Sequence, residues 1–187
     1  METRSPWTTS CRAWRPRGGR GSSSSKVPLL LARIDDRLIH GQVAHGWGNA
    51  LHPTFLVIVS DSLRADPARA ELYLCGVPEG ARSRVVSVAE ALDPAFRNEV
   101  DAERTILLFT GPEDALRLVT GGFPLRELNL GGLHHAPGRR EVLPYVFLDD
   151  ADRAQLRELQ RRGVRVYAQD LPSNSSHAID AWVGGAT

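Results

Sequence analysis

Apolar residues fall into short dense runs, separated by stretches in which they recur every three or four positions. VPLLLARI (27–34), TFLVIVS (54–60) and RTILLFT (104–110) are the densest runs. Runs rich in Val, Ile, Leu and Phe suit strands buried on both faces. SRVVSV (83–88), ELNLGG (127–132), VLPYVFL (142–148) and VRVYAQ (164–169) are weaker strand candidates. Helical patterns lie between them. QVAHGWGNAL (42–51) puts Val43, Trp47 and Leu51 on one face, and DPARAELYL (66–74) offers Asp66 as N-cap with Pro67 in the first turn. PEDALRLVTGG (112–122) starts with Pro and acids and stops at Gly-Gly. DDADRAQLRELQRRG (149–163) begins acidic and ends in Arg161, Arg162 and Gly163, matching the helix dipole and a glycine C-cap. Strands alternating with helices predict an α/β fold: a three-layer α/β/α domain with a mostly parallel central sheet.

The chain has 187 residues, 42% of them hydrophobic and 24% charged, which fits one domain with a substantial core. The formal net charge of +1 gives no whole-chain argument for nucleic acid or membrane. Charge is unevenly spread, however. Arg4, Arg12, Arg15, Arg17, Arg20 and Lys26 face only Glu2 in the first 26 residues, so the remainder is mildly acidic. That first segment ends in Gly-Gly-Arg-Gly and four serines and has no period of 2 or 3.6. Residues 1–26 are therefore expected to be a disordered basic tail, 27–172 the domain, and 173–187 a C-terminal extension. The tail lacks the apolar stretch of a secretory signal, and no apolar run reaches the 18 residues of a membrane span. Cys11 and Cys75 have no metal-type spacing, which fits reduced thiols in a cytosolic protein.

The densest chemistry sits in RIDDRLIHGQV (33–43), between the first strand and the first helix. In open α/β sheets, ligands bind where loops leave the carboxyl ends of strands. His40 precedes Gly41 and a helix start near Gln42, whose free N–H groups suit a phosphate. Arg37, with Arg33, adds donors shaped for phosphoryl oxygens, and Asp35 or Asp36 could hold Arg37 or an imidazole nitrogen. A histidine in that setting is a phosphoryl carrier by its chemistry: nucleophilic when neutral, a good leaving group when protonated. Gly131 and Gly132 in NLGGLHHAPGRR (129–140) would let backbone approach the same anion. The plain alternatives are a solvated acidic loop and a histidine that only caps a helix. A metal held by His40, His45, His134 and His135 lacks any tight ligand motif, so neither metal nor cofactor is expected. No nucleotide loop and no Gly-x-Ser-x-Gly elbow is present. Asp35-Asp36 also fits a receiver phosphorylated on aspartate, but no Asp ends the run at Thr110.

RIDDRLIHGQVAHGW closely resembles the active-site segment of enzyme IIB subunits of the mannose/fructose/sorbose family of the sugar phosphotransferase system. VIVSDS, LLFTGPEDALRLVTGGFPLRELNLGG and LRELQRRGVRVYAQDLP agree with later segments of that family in order, so the likeness covers about residues 29 to 172. The resemblance implies that His40 takes a phosphoryl group on Nδ1 from a IIA partner and passes it to a sugar held by membrane IIC and IID subunits. It implies a phosphotransferase in the cytoplasm, peripherally associated with the permease, with Asp35, Arg37 and Gly41 around the phosphoryl group. Neither nucleic acid nor cofactor is implied; a homo-oligomer is compatible. The sequence departs from the family in Thr110-Gly111-Pro112, where a more basic form is common, and in the His- and Arg-rich LHHAPGRR (133–140). The alternative in another class is a regulatory phosphohistidine module that signals through protein binding without sugar transport.

Overall fold

β-Branched and leucine-rich segments cannot leave both faces in water, so they collect in the middle of the molecule. The computed structural model describes residues 29–78 and 80–183. The elements run from β1 (Leu31–Asp35) through a π-helical segment (Gln42–Trp47) that continues into α1 (Gly48–Leu51), then β2 (Phe55–Val59), α2 (Asp61–Arg64) and α3 (Pro67–Leu74). β3 (Arg82–Val86), α4 (Val88–Ala91), α5 (Pro94–Asp101), β4 (Thr105–Phe109), α6 (Pro112–Thr120) and β5 (Glu127–Gly132) follow. The chain then forms β6 (Arg140–Leu143), β7 (Val146–Leu148), α7 (Asp150–Arg161), β8 (Arg165–Ala168), β9 (His177–Ala178) and α8 (Asp180–Val183).

The main sheet has seven strands in the order β3-β2-β4-β1-β5-β8-β9. Every neighbouring pair is parallel except the short antiparallel edge strand β9 on β8. Connections leaving β1 and β2 travel toward β3, whereas those leaving β3, β4 and β5 travel the other way. Right-handed crossovers then force the two sets of helices onto opposite faces. The core divides accordingly. One apolar layer joins Leu56, Ile58, Ile106 and Leu108 to Val43, Trp47 and Leu63. The other joins Val57, Val59, Leu107 and Phe109 to Phe96, Val100, Leu118, Leu156 and Leu159. The three-layer, mostly parallel fold read from the sequence is the fold observed.

The differences have local causes. The single strand expected over 142–148 is instead an antiparallel hairpin of β6 and β7, turned at Pro144 and Tyr145. Proline cannot donate to a ladder and presets a turn. The helix at 66–74 starts at Pro67 with Asp66 accepting from Arg69 N–H, as the sequence indicates, but a separate turn, α2, precedes it. The hydrophobic pattern does not mark α4 and α5. They are short, yet carry their own start signals: a Ser87–Glu90 capping box and an Asp93-Pro94 N-terminus. Burial does not stop at residue 172, because Ile179 and Val183 are inside the core and β9 pairs with β8. The 1–26 tail lies outside the described residues.

Candidate functional site

Side chains alternate along β1, so Leu31, Arg33 and Asp35 share one face of the sheet while Ala32 and Ile34 point into the other. On that shared face Arg33 and Asp35 are both completely buried and ion-paired at 2.8 Å. A buried pair requires further hydrogen bonds. Arg33 Nη1 donates to Asn129 Oδ1 at 2.6 Å and to the Gln169 carbonyl at 3.0 Å, and its guanidinium lies 5.6 Å from the centre of a Trp47 ring. Burial pushes the Arg33 pKa below its ordinary value, opposed by Asp35. The Trp47 Nε1–H donates to the Asp170 carbonyl at 2.9 Å, fixing the helix after the loop to the end of β8.

Asp35 is the hub of the constellation. Its Oδ1 accepts from the Arg37 backbone N–H at 3.2 Å and from Arg37 Nε at 3.1 Å. Arg37 Nη2 continues to Gln42 Oε1 at 2.8 Å. The turn closes through Leu38 N–H to the Asp35 carbonyl at 2.9 Å, with Leu38 in the left-handed region at φ 54° and its side chain fully buried. Such strain persists only where surrounding contacts over-determine it. His40 follows. Its Nδ1 lies 2.9 Å from the Leu38 carbonyl, and a carbonyl oxygen only accepts, so this contact puts a proton on Nδ1. Nε2 faces Gln42 Oε1 at 3.5 Å and Asp35 Oδ2 at 3.8 Å. The ring is 20% exposed, at the carboxyl end of β1. Ala44 N–H makes the first helical bond, to the His40 carbonyl at 2.7 Å, so the amides of Gly41, Gln42 and Val43 precede it in the open first turn.

The structure brings His40, Asp35, Arg37, Gly41 and Gln42 together, while three other residues singled out in the sequence have different positions. Arg33 is sealed behind Asp35 and cannot reach a phosphoryl group at the surface. Gly131 falls at an irregularity of the β1–β5 ladder, and a Cβ there would sit 1.8 Å from Arg33 Cζ. A Cβ on Gly132 would approach Arg37 Nη2 at 3.1 Å and Asp35 Oδ1 at 3.3 Å. Both glycines are spacers that let the two arginines and Asp35 nest against β5. Gly41 is exposed in ordinary right-handed geometry with nothing within 4 Å of a built Cβ, which leaves the approach to His40 clear. His45 is exposed on the helix, and His135 stacks edge-on to Phe147. His134 instead contacts Asp36. Asn129, Gln169 and Asp170 support the site unannounced by the sequence, since only strand register sets Asn129 opposite Arg33. Among the described residues no cluster of three or more His, Cys, Asp or Glu side chains forms a metal site.

Residues 29–186 match the family model described as "PTS system sorbose subfamily IIB component". The chain is 37% identical over 155 residues to the sorbose-specific EIIB component of Lacticaseibacillus casei, covering 81% of this chain and 92% of that protein. It is 38% identical over 144 residues to the mannose-specific EIIAB component of Escherichia coli K12, covering 77% of this chain but only 45% of that longer protein. Among solved structures, the IIBSor domain of the sorbose permease from Klebsiella pneumoniae superposes with a TM-score of 0.73 at 34% identity, covering 82% and 94% of the two chains. The N-acetylgalactosamine-specific IIB component 1 from Escherichia coli gives 0.71 at 30% identity, covering 81% and 99%. The matched span contains every residue of the Arg33–Asp35–Arg37–His40 constellation.

Proposed function

The chain belongs to the sorbose-subfamily IIB components of the sugar phosphotransferase system, and from that membership we propose that His40 is its phosphoryl carrier. The phosphoryl group arrives from a phosphohistidine of a IIA partner and leaves to a hydroxyl of a sugar held by membrane IIC and IID subunits. The observation that carries the reading is the half-open setting of His40 beside an open first helical turn, its Nε2 facing Asp35 and Gln42, both of which are held by Arg37. Among the described residues no helix is long and apolar enough to cross a membrane. In this reading the membrane passage belongs to IIC and IID, and the domain works at its cytoplasmic side.

The ring's neighbours favour Nδ1 as the nucleophile. A phosphoryl group on Nε2 would meet the Asp35 carboxylate, 3.8 Å away, and like charges repel. With the ring proton on Nε2 instead, Gln42 Oε1 and Asp35 Oδ2 are the acceptors on that side and Nδ1 keeps its lone pair. The Nδ1 hydrogen bond to Leu38 is given up first. Nδ1 then attacks phosphorus as the donor's P–N bond breaks, and the donor imidazole departs. The imidazolium left on His40 is stabilised by Asp35. Arg37 and the amides of Gly41, Gln42 and Val43 take up charge on the phosphoryl oxygens. In the second half the sugar hydroxyl attacks, the His40 P–N bond breaks, and the hydroxyl proton is lost to a base. Catalysis of this kind is positioning plus electrostatics.

The test is incubation with phosphoenolpyruvate, enzyme I, HPr and a IIA domain, followed by mapping of acid-labile phosphate. One phosphate on Nδ1 of His40 is expected, absent in His40→Ala and His40→Gln with the fold intact. Label on His134 or His135 would overturn the assignment. The sugar-specific names of the relatives favour transport over the regulatory alternative.

A further inference from the structure

The contact between Asp36 and His134 is not used by the chemistry above, although it ties the phosphoryl loop to a distant part of the chain. His134 grips the carboxylate twice: its backbone N–H donates to Asp36 Oδ2 at 2.8 Å, and its ring Nδ1 lies 2.6 Å from Asp36 Oδ1. An ionised carboxylate only accepts, so Nδ1 donates. The loop holding His134 is itself braced. Arg139 Nη1 donates to the His134 carbonyl at 3.3 Å, while Arg139 Nε reaches Asp152 Oδ2 at 2.9 Å. Asp152 is buried and forms the capping box of α7 with Asp149. On the other side, the Asp36 N–H donates to the Gly132 carbonyl at 3.1 Å. Asp36 sits between the hub carboxylate Asp35 and Arg37, two residues before the carbonyl that receives His40 Nδ1.

We infer that His134 is a positioning residue for phosphoryl transfer: it clamps Asp36 and so holds the turn 35–38, which sets Asp35 and Arg37 and leads into His40. This rests on the carrier role of His40. The side chain is 54% exposed and its partner 26%, so an exposed pair of this kind contributes little to global stability. Its value is geometric, because displacements of an ångström at a reacting group cost large factors in rate. The charged groups facing the clamp are Asp36 from the loop after β1, Arg139 from the same loop as His134 and, through Arg139, Asp152 from α7.

The test uses the full chain and two phosphoryl donors: phosphoramidate, which needs no protein docking, and a phosphorylated IIA domain. The wild type is checked first for label on His40; if it takes none there, the carrier role fails and the inference falls with it. With that label in place, His134→Ala should lower the transfer rate on the order of tenfold with both donors. KM for the IIA donor should be unchanged, and hydrogen exchange at the Leu38 amide should quicken. His134→Asn should restore the rate, since its amide nitrogen can occupy the place of Nδ1, and Asp36→Asn combined with His134→Ala should cost no more than either alone. An unchanged rate in His134→Ala would overturn the inference. So would a loss confined to KM with the protein donor, which would make His134 a docking residue.

Discussion

Arg37 keeps its guanidinium at the surface, 34% exposed, with Nε on Asp35 and Nη2 on Gln42. A planar fork tied at two points cannot be reproduced by an ammonium. Arg37→Ala should slow phosphoryl transfer from a IIA donor by about 10²–10³, the cost of one preorganised donor, and Arg37→Lys should recover only part of the loss. An unchanged rate in Arg37→Ala would reduce the residue to structural support. Arg33 carries the same group in the opposite setting. Removing it strands a buried carboxylate, so Arg33→Ala should cost about 3–5 kcal/mol of stability by denaturant titration. Gly131→Ala, by pushing the guanidinium off Asn129 and Gln169, should destabilise in the same direction. The motif 33–43 was legible as chemistry from residue types alone. The separate fates of its two arginines were not, because burial depends on which strand lies beside β1.

The start of α4 gathers several weak signals into one junction. Ser87 accepts from the Glu90 N–H, Glu90 accepts from the Ser87 N–H, and Arg64 of α2 pairs with Glu90 at 2.8 Å. The Arg64 guanidinium, with help from the Ser87 N–H, holds the Glu90 carboxyl down at about 2, against an ordinary 4.5. A depressed carboxyl contributes stability above its unfolded pKa and loses it as pH falls through the folded one. Stability should therefore decline between about pH 4.5 and 2, and Glu90→Gln should flatten that limb when unfolding is followed against pH. The long elements were readable because periodicity needs length. The 12-residue helix α7 matched its acidic cap and the glycine at 163, which adopts φ 85°. The four-residue helices α2, α4 and α8 offer barely one turn, too short for periodicity to mark them, and it is the Ser87–Glu90 capping box that marks α4.

At the scale of the whole molecule, the site lies where the sheet's connections diverge. β1 sends its chain toward β2, while its neighbours β4 and β5 send theirs the other way, and His40 follows the carboxyl end of β1 at that divergence. Alternating strands and helices made the parallel sheet legible, but no periodicity reveals strand order, so neither the point of divergence nor the Asp36–His134 link could be read in advance. The described residues already hold the sheet, both apolar layers and the constellation. We propose accordingly that residues 1–26 have no chemical role. Their deletion should leave the melting temperature and, at high ionic strength, the rate of His40 phosphorylation unchanged. At low ionic strength the basic charge could raise the encounter rate with an acidic donor, so a modest loss is expected there. A fall of several degrees in melting temperature would mean that the segment packs on the domain.

The π-helical winding of Gln42–Trp47 has a consequence of its own. Its far end is anchored, since Trp47 is held by the Asp170 carbonyl and lies against Arg33. A π turn holds one more residue than the α turn it replaces. Deleting one residue beyond Gln42 would therefore let the stretch rewind as an ordinary α-helix with its two ends still in register, whereas inserting one would swing position 40 about the axis away from Asp35. No member of the constellation would have changed identity, yet the ring would face elsewhere. The aim of the imidazole is thus set by a count of residues as well as by their kinds, and a one-codon insertion here would silence the site more completely than most substitutions.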